Sequence, residues 1–381
     1  MVPEELLTYI KNALGQGKNK EEISATLTAQ GGWNQQDVDR AFMAVANSQN
    51  TQVTPSPSPS PLSSVTGLSG NEIFCLDNLG FKPGDIAVGN SVHALGVGRS
   101  IGSGFRGFMG GEITQITSLI AEGRRAAIAR LEQEVTQRSG AGVTGVTTEI
   151  LASGGRIEFL SVGSVIRGGA ASDQPFSSSA DGQELYCQMD AGYTPRRFVF
   201  GNVAYSIGFG RGFTGAFRKL VRGEVPQYTE IFTKTRNIAL ERIIAEAKQA
   251  GANAVVNIRV KIIPLGFVNY GIQEMILIGT ASYNPTLPQE YMTTPITSDL
   301  VNQELWSMTK KGYAPLKLVM GTSVYSLGFI GGVTSFLKTF VKGEIPELTK
   351  LVYEAREKSI SKIKAEAANI GADDVVGTKT K

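Results

Sequence analysis

Cysteine and histidine are nearly absent. The 381 residues contain 2 Cys and 1 His, so a disulfide scaffold is limited to a single bridge. A soft-metal site needs several thiols or imidazoles converging on one ion, and no CxxC or HxxxH spacing occurs. Long apolar runs are also lacking: none approaches the roughly 20 residues that span a bilayer. The first turn carries Glu4 and Glu5 with no long apolar core behind them, which does not fit a secretory signal. A reducing, cytoplasmic setting is expected. Excess charge of one sign is missing too. The net charge is +3, too small by itself to mark a nucleic-acid binder. What the chain does have is glycine, 45 residues of it, against an ordinary share of roughly 7%. Apolar residues make up 41%, enough for most of the chain to bury a core.

Residues 1–50 read as a small three-helix module. Pro3 suits a first turn, and Leu6, Leu7, Ile10 and Leu14 recur at helical spacing. Ile23 and Leu27 mark a second helix. Asn34 is placed to cap a third, which carries Val38, Phe42 and Val45, with Trp33 packing among all three. The layout resembles small UBA-like helical modules. A linker over residues 51–70 follows. Its core, TPSPSPSPLSS at 54–64, favours extended polyproline II and cannot bury a core.

Everything after residue 71 is one unit used three times. With Cys75, Cys187 and Ser307 aligned, Gly80, Gly192 and Gly312 coincide, as do Gly89, Gly201 and Gly321. Arg124, Arg236 and Arg356 match, and so do Glu134, Glu246 and Glu366. Each unit begins with an alternating segment such as RRFVFGNVAYSIGFG, where Phe198, Phe200, Val203 and Tyr205 argue for a strand. A Gly-rich stretch, a long amphipathic helix, a strand and a hairpin partner follow. The third unit reaches GADDVVGTKTK without the last strand and its partner, which reads as a fragment or as a place for a strand from another chain. The spacing predicts an α+β fold: three tandem two-layer domains, each with an antiparallel sheet and one long helix. They span 71–168, 185–283 and 304–381, the last one incomplete.

Between the Gly-rich stretch and the long helix stands a repeated step, Gly111-Glu112, Gly223-Glu224 and Gly343-Glu344. Glycine breaks the preceding segment, and Glu places negative charge where free N–H groups favour it. Pro226 and Pro346 then fit the first turn. The expected role of these six residues is structural.

The Gly201-Asn202 strand, the Arg236 and Glu246 helix positions and the run AKQAGANAVV from Ala247 to Val256 resemble the YbjQ family, small bacterial domains labelled as heavy-metal-binding. The third unit repeats the run as EAANIGADDVV, and Ile278-Gly279-Thr280-Ala281 also fits, with Val162-Gly163-Ser164-Val165 in the first unit. The first unit departs from the pattern, with SGAGVTGV in place of GANAVV. The resemblance implies an α+β domain with a curved antiparallel sheet, a long helix and assembly into homopentameric rings. It implies no particular reaction.

Candidate chemistry is sparse. Cys75 and Cys187 occupy equivalent positions and could hold a soft ion between units; the plainer reading is a thiol at a strand start packed as a small hydrophobe. GFGRGFTG, Gly208 to Gly215, brushes against a phosphate loop without its spacing. Phe105 and Arg106, Phe217 and Arg218, and Leu337 and Lys338 fall at matched positions. These basic and apolar pairs suit a subunit interface, with an anionic membrane surface or nucleic acid as the alternative partner. His93 aligns with Tyr205 and Tyr325, and no nucleophile sits in a recognisable motif. The expectation is a non-catalytic protein with no cofactor that self-associates, with no specific nucleic acid as partner. The competing readings are a metal or metalloid binder and a peripheral membrane or nucleic-acid binder. The three units are expected to pack on one another through the same surfaces.

Overall fold

The computed structural model describes residues 3–16, 18–29, 31–49, 65–94, 111–153, 155–169, 174–206, 223–266, 271–326 and 346–380. The chain forms two bodies, Met1–Ser63 and Ser64–Lys381. The first holds α1 (Glu4–Gly15), α2 (Lys20–Ala29) and α3 (Gln35–Gln49). Leu6, Ile10, Ile23, Leu27, Val38 and Val45 form its core, and Trp33 and Phe42 pack against it. The Asn34 side chain accepts a hydrogen bond from Asp37 N at 2.8 Å, as its cap position requires.

In the second body each repeat opens on a short helix, not on a strand. These are α4 (Gly70–Asn78), α6 (Gly182–Asp190) and α8 (Asn302–Lys310). Ser69 with Glu72, and Asp181 with Glu184, make complete capping boxes. The third helix keeps half of one, Glu304 accepting from Val301 N at 3.1 Å. Each helix is followed by a glycine in the left-handed region, Gly80, Gly192 and Gly312, at φ of 80°, 88° and 86°. Cys75, Cys187 and Ser307 therefore sit on helices, and their expected place at a strand start is corrected. Local capping outweighs the apolar alternation that begins a few residues later.

The first sheet has the order β1-β4-β3-β5, built from β1 (Phe81–Ala94), β4 (Arg156–Gly168), β3 (Gly142–Ser153) and β5 (Phe176–Ser177). The first three pair antiparallel, and β5 joins β3 in parallel. The second sheet has the order β10-β8-β9-β6-β2. Here β6 is Thr194–Ser206, β8 is Ala254–Pro264, β9 is Ile272–Tyr283 and β10 is Ile296–Thr297. Its last strand, β2 (Gly111–Glu112), comes from the first repeat. The long helices α5 (Thr114–Gln137), α7 (Pro226–Gln249) and α9 (Pro346–Asn369) have 24 residues each.

Two positional rules explain the recurring glycines. A Cβ on Gly89, Gly201 or Gly321 would lie 2.0 Å from the carbonyl oxygen of Ala127, Ala239 or Ser359 respectively. The helix thus rests directly on the strand backbone, and only glycine leaves room. Both complete hairpins also carry a bulge at the same place, between Thr144 and Thr147 and between Val256 and Arg259. The bulged residues, Gly145 and Asn257, have φ of 65° and 55°, and Gly377 at the equivalent point of the third repeat has 66°. This accounts for the difference between SGAGVTGV and GANAVV: the site requires a left-handed residue, which Gly and Asn both supply.

The third repeat differs. The segment aligned with β1 and β6 shows only Tyr325–Ser326 (β11) as strand, and the described residues beyond α9 form none. Without a hairpin ladder beside it, the segment 314–324 forms no strand.

Candidate assembly interface

The long helix of the first repeat lies between two sheets. On one side is its own, where Gly89 meets α5. On the other, Phe198, Phe200, Ile276 and Ile278 of the second sheet share a core with Ala121, Ile128 and Leu131 of α5. Toward the helix start, Ala204, Leu265 and Ile272 pack with Ile113, Ile116 and Ile120. The pattern continues one repeat on: Leu318 of the third repeat joins the core of α7, with Met320 against it.

Polar contacts recur position by position. The Gly-Glu step is a two-residue strand that adds to the following repeat. Gly111 and Glu112 pair with Ser206 and Tyr205, and Gly223 and Glu224 (β7) pair with Ser326 and Tyr325. Ile113 N donates to Ala204 O at 2.8 Å, and Val225 N to Val324 O at 2.7 Å. The Thr117 hydroxyl accepts from Ala204 N at 2.9 Å, and the Thr229 hydroxyl from Val324 N at 3.0 Å. The two glutamates reach the next repeat's helix. Glu112 Oε1 lies 2.8 Å from Arg242 Nη1, a charge contact without a hydrogen bond, and the same nitrogen donates to Asn202 O at 2.7 Å. Glu224 Oε1 accepts from Lys362 Nζ at 2.8 Å, and Lys362 also donates to Thr322 O at 2.8 Å. That hydrogen bond and charge hold the Glu224 carboxyl below the ordinary range.

These findings change the reading of the glutamates. The residues flanking the first two long helices, Ile113 and Val225, give no side-chain cap. The glutamates before them are clasped by cations of the next repeat and do not serve the helix start alone. Pro226 and Pro346 do occupy the first turn. Gly111 and Gly223 have φ of 113° and 139°, open to glycine and costly for other residues. Gly343 and Glu344 lie outside the described residues, as do Phe105, Arg106, Phe217, Arg218, Leu337, Lys338 and the stretch 208–215.

One ion pair across the first interface is fully dry. Arg124 and Glu274 are both 0% exposed. Arg124 Nη2 donates to Glu274 Oε2 at 2.7 Å, and its Nη1 donates to Thr148 Oγ1 at 3.0 Å. Arg236 holds the equivalent place on α7, 3.7 Å from Glu366 and hydrogen-bonded to Met320 O. Glu246 accepts from Phe200 N and from Arg125 of the first repeat, both at 3.0 Å. Burial nevertheless pushes its carboxyl up, with those partners offsetting part of the effect. The sequence marked Arg124, Arg236 and Glu246 but not Glu274, Arg242, Lys362 or Thr117. The signal for Arg242 and Lys362 was the offset they share with Arg130.

The short helices stack in the same order. Gly182 N donates to Glu72 Oε1 at 3.1 Å, Asn302 Nδ2 to Gln188 Oε1 at 3.0 Å, and Trp306 Nε1 to Asp190 Oδ2 at 2.6 Å. Cys75 and Cys187, on α4 and α6, are free, half-buried thiols. Burial, and then the Cys75 charge, raise the Cys187 thiol. Among the described residues no group of three or more His, Cys, Asp and Glu is placed to hold a metal ion. His93 stacks edge-on with Phe159 and lies 2.8 Å from Ser91 Oγ, a packing role. No helix among the described residues is long and apolar enough to cross a membrane.

A chain of α+β repeats, each offering a helix to the sheet of the next, is the class these contacts define. Comparison with known proteins supplies the family. The model described as "Putative heavy-metal-binding" (YbjQ) matches residues 82–171, 193–283 and 309–381, and the chain belongs to that family. It is 31% identical over 202 residues to the "Encapsulin nanocompartment protein Rv1762c" of Mycobacterium tuberculosis, covering 50% of this chain and 75% of that one. It is 43% identical over 83 residues to a UPF0145 protein of Thermosipho africanus, covering 22% of this chain and 74% of the relative. A UPF0145 protein of Thermotoga maritima is 42% identical over 83 residues, with coverage of 22% and 76%. No solved structure matches the chain.

Proposed function

We propose that this chain is a non-catalytic assembly protein whose repeats serve as building blocks of a larger self-associated particle. The observation that carries the reading is the double use of one contact set. The strand addition, the threonine acceptor and the glutamate–cation clasp recur at the first-to-second and second-to-third junctions. An interface that works twice within a chain is already suited to work between chains. Similarity to a relative named for a nanocompartment agrees with this. The test is the native mass of the purified full-length chain at micromolar concentration, where a multiple of the chain mass is expected. A single-chain mass refutes the reading.

A second reading, binding of a soft metal, is favoured by the two free thiols at equivalent positions of the neighbouring helices α4 and α6, Cys75 and Cys187, together with the family's description. Two thiolates fill only part of a soft ion's coordination, so the remaining ligands would come from outside the described residues. Calorimetry with zinc and copper(I) on the parent and on Cys75→Ser decides it. Equal heats from both proteins remove the thiols from the account.

A further inference from the structure

The Arg124–Glu274 pair is sealed from bulk solvent, yet it is not closed on itself. Three buried side-chain atoms there have no hydrogen-bond partner among the described residues: Arg124 Nε, Glu274 Oε1 and Ser161 Oγ. All three residues are 0% exposed. A buried donor or acceptor left unmade costs more than an ordinary hydrogen bond returns, so three in one interface call for a common partner.

The fold brings these atoms together. Thr148 and Ser161 are cross-strand partners on β3 and β4, and such partners point to the same face of a sheet. Thr148 Oγ1 accepts from Arg124 Nη1 at 3.0 Å, so that face is the one under α5. Gly89, the partner of Ser161 on β1, agrees, since its Cβ would meet α5 at Ala127 O. Ser161 therefore stands beside the hydroxyl that holds the guanidinium. From the second sheet, Glu274 reaches the same guanidinium through Oε2 at 2.7 Å, which leaves Oε1 next to it.

The surroundings are apolar. Phe159 lies two residues from Ser161 on the same face, Ile276 two residues from Glu274, and Ala127 one turn from Arg124. These three are also 0% exposed. In the second repeat the matched cross-strand pair is Val260 and Leu277, and Arg236 bonds to Met320 O and to Asn237. The hydroxyl pair is a property of the first repeat.

We infer that Arg124, Glu274 and Ser161 together bind one water molecule between the first two repeats. Arg124 Nε–H donates to it, it donates to Glu274 Oε1, and the Ser161 hydroxyl completes a third bond. Such a set matches the roughly three hydrogen bonds of a typical internal water. The donor set also selects the ligand. Arg124 disfavours a cation, Glu274 disfavours an anion, and the molecule held must both donate and accept. The inference goes beyond the assembly reading and holds whether or not the chain self-associates.

The test compares the full-length chain with Ser161→Val by oxygen-17 relaxation dispersion of the solvent, which counts waters held for longer than the protein takes to tumble. The valine methyl groups take the place of both the hydroxyl and the water, so the dispersion amplitude should fall by one water. A crystal structure of the parent should show a density peak within hydrogen-bonding reach of all three atoms. An unchanged amplitude in a folded Ser161→Val would overturn the inference. So would a parent map in which Arg124 Nε donates directly to Glu274 Oε1 with no peak between the three atoms. If circular dichroism shows that Ser161→Val does not fold, the parent map alone decides.

Discussion

Replacing Arg124 by Met should be among the most damaging single changes in the second body. The guanidinium and its partner Glu274 are both 0% exposed and come from different repeats. Glu274 Oε1 already has no hydrogen-bond partner, and Oε2 has Arg124 at 2.7 Å. Deleting the arginine strands a carboxylate in a dry interface, at a cost of about 3–5 kcal/mol. The pair itself is worth far less than that figure, because bringing both charges out of water offsets most of their attraction. The double variant Arg124→Met with Glu274→Leu should therefore regain most of the loss and lie within about 1 kcal/mol of the parent or above it. Urea unfolding followed by far-UV circular dichroism measures all four corners of the cycle. Tryptophan fluorescence would mix the two bodies, since Trp33 lies in the first and Trp306 on α8. A loss under about 1 kcal/mol for Arg124→Met, typical of exposed pairs, would refute a dry contact between repeats. So would strict additivity in the double variant.

Three further outcomes follow from the geometry. Gly201→Ala should cost about 1–3 kcal/mol or more, because its Cβ would lie 2.0 Å from Ala239 O, whereas Gly266→Ala, with nothing within 4 Å, should be close to neutral in the same urea titration. Glu224→Gln should cost no more than about 1 kcal/mol, since its clasp with Lys362 is partly exposed. Because the folded carboxyl is held low, its contribution is present above the unfolded value near 4.5 and fades as pH falls through the folded value, so parent and variant should converge in acid. Glu246 has the opposite sign: its raised carboxyl favours folding below the unfolded value near 4.5 and loses that contribution as pH rises through the folded value. Urea midpoints of Glu246→Gln should accordingly gain on the parent between acid and neutral pH, and a relative loss over that range would contradict the burial argument.

Much of this architecture was legible in the sequence because it is written three times. The prolines at 226 and 346 mark backbone constraints that are local, and the glycines at 89, 201 and 321 mark where the long helix of the same repeat rests on the strand. What the alignment conceals is which position of one repeat touches which position of the next. Glu112 and Arg242 are far apart in the chain, and nothing local to either predicts their meeting. The short opening helices had a visible signal in Ser69 with Glu72 and in Asp181 with Glu184. The Ser-rich stretch before α6 falls outside the expected domain spans 71–168 and 185–283, yet Ser177, Ser178 and Ser179 are buried, and both Ser178 and Ser179 bond to the Thr280 hydroxyl on β9. Hydroxyls can be buried wherever another hydroxyl or a backbone group completes them, and only the fold reveals that partner.

Native mass spectrometry of the intact chain tests the central claim most directly. One chain weighs 40.6 kDa. The account predicts a defined multiple of that mass at micromolar concentration. A spectrum holding only the single-chain mass would contradict it.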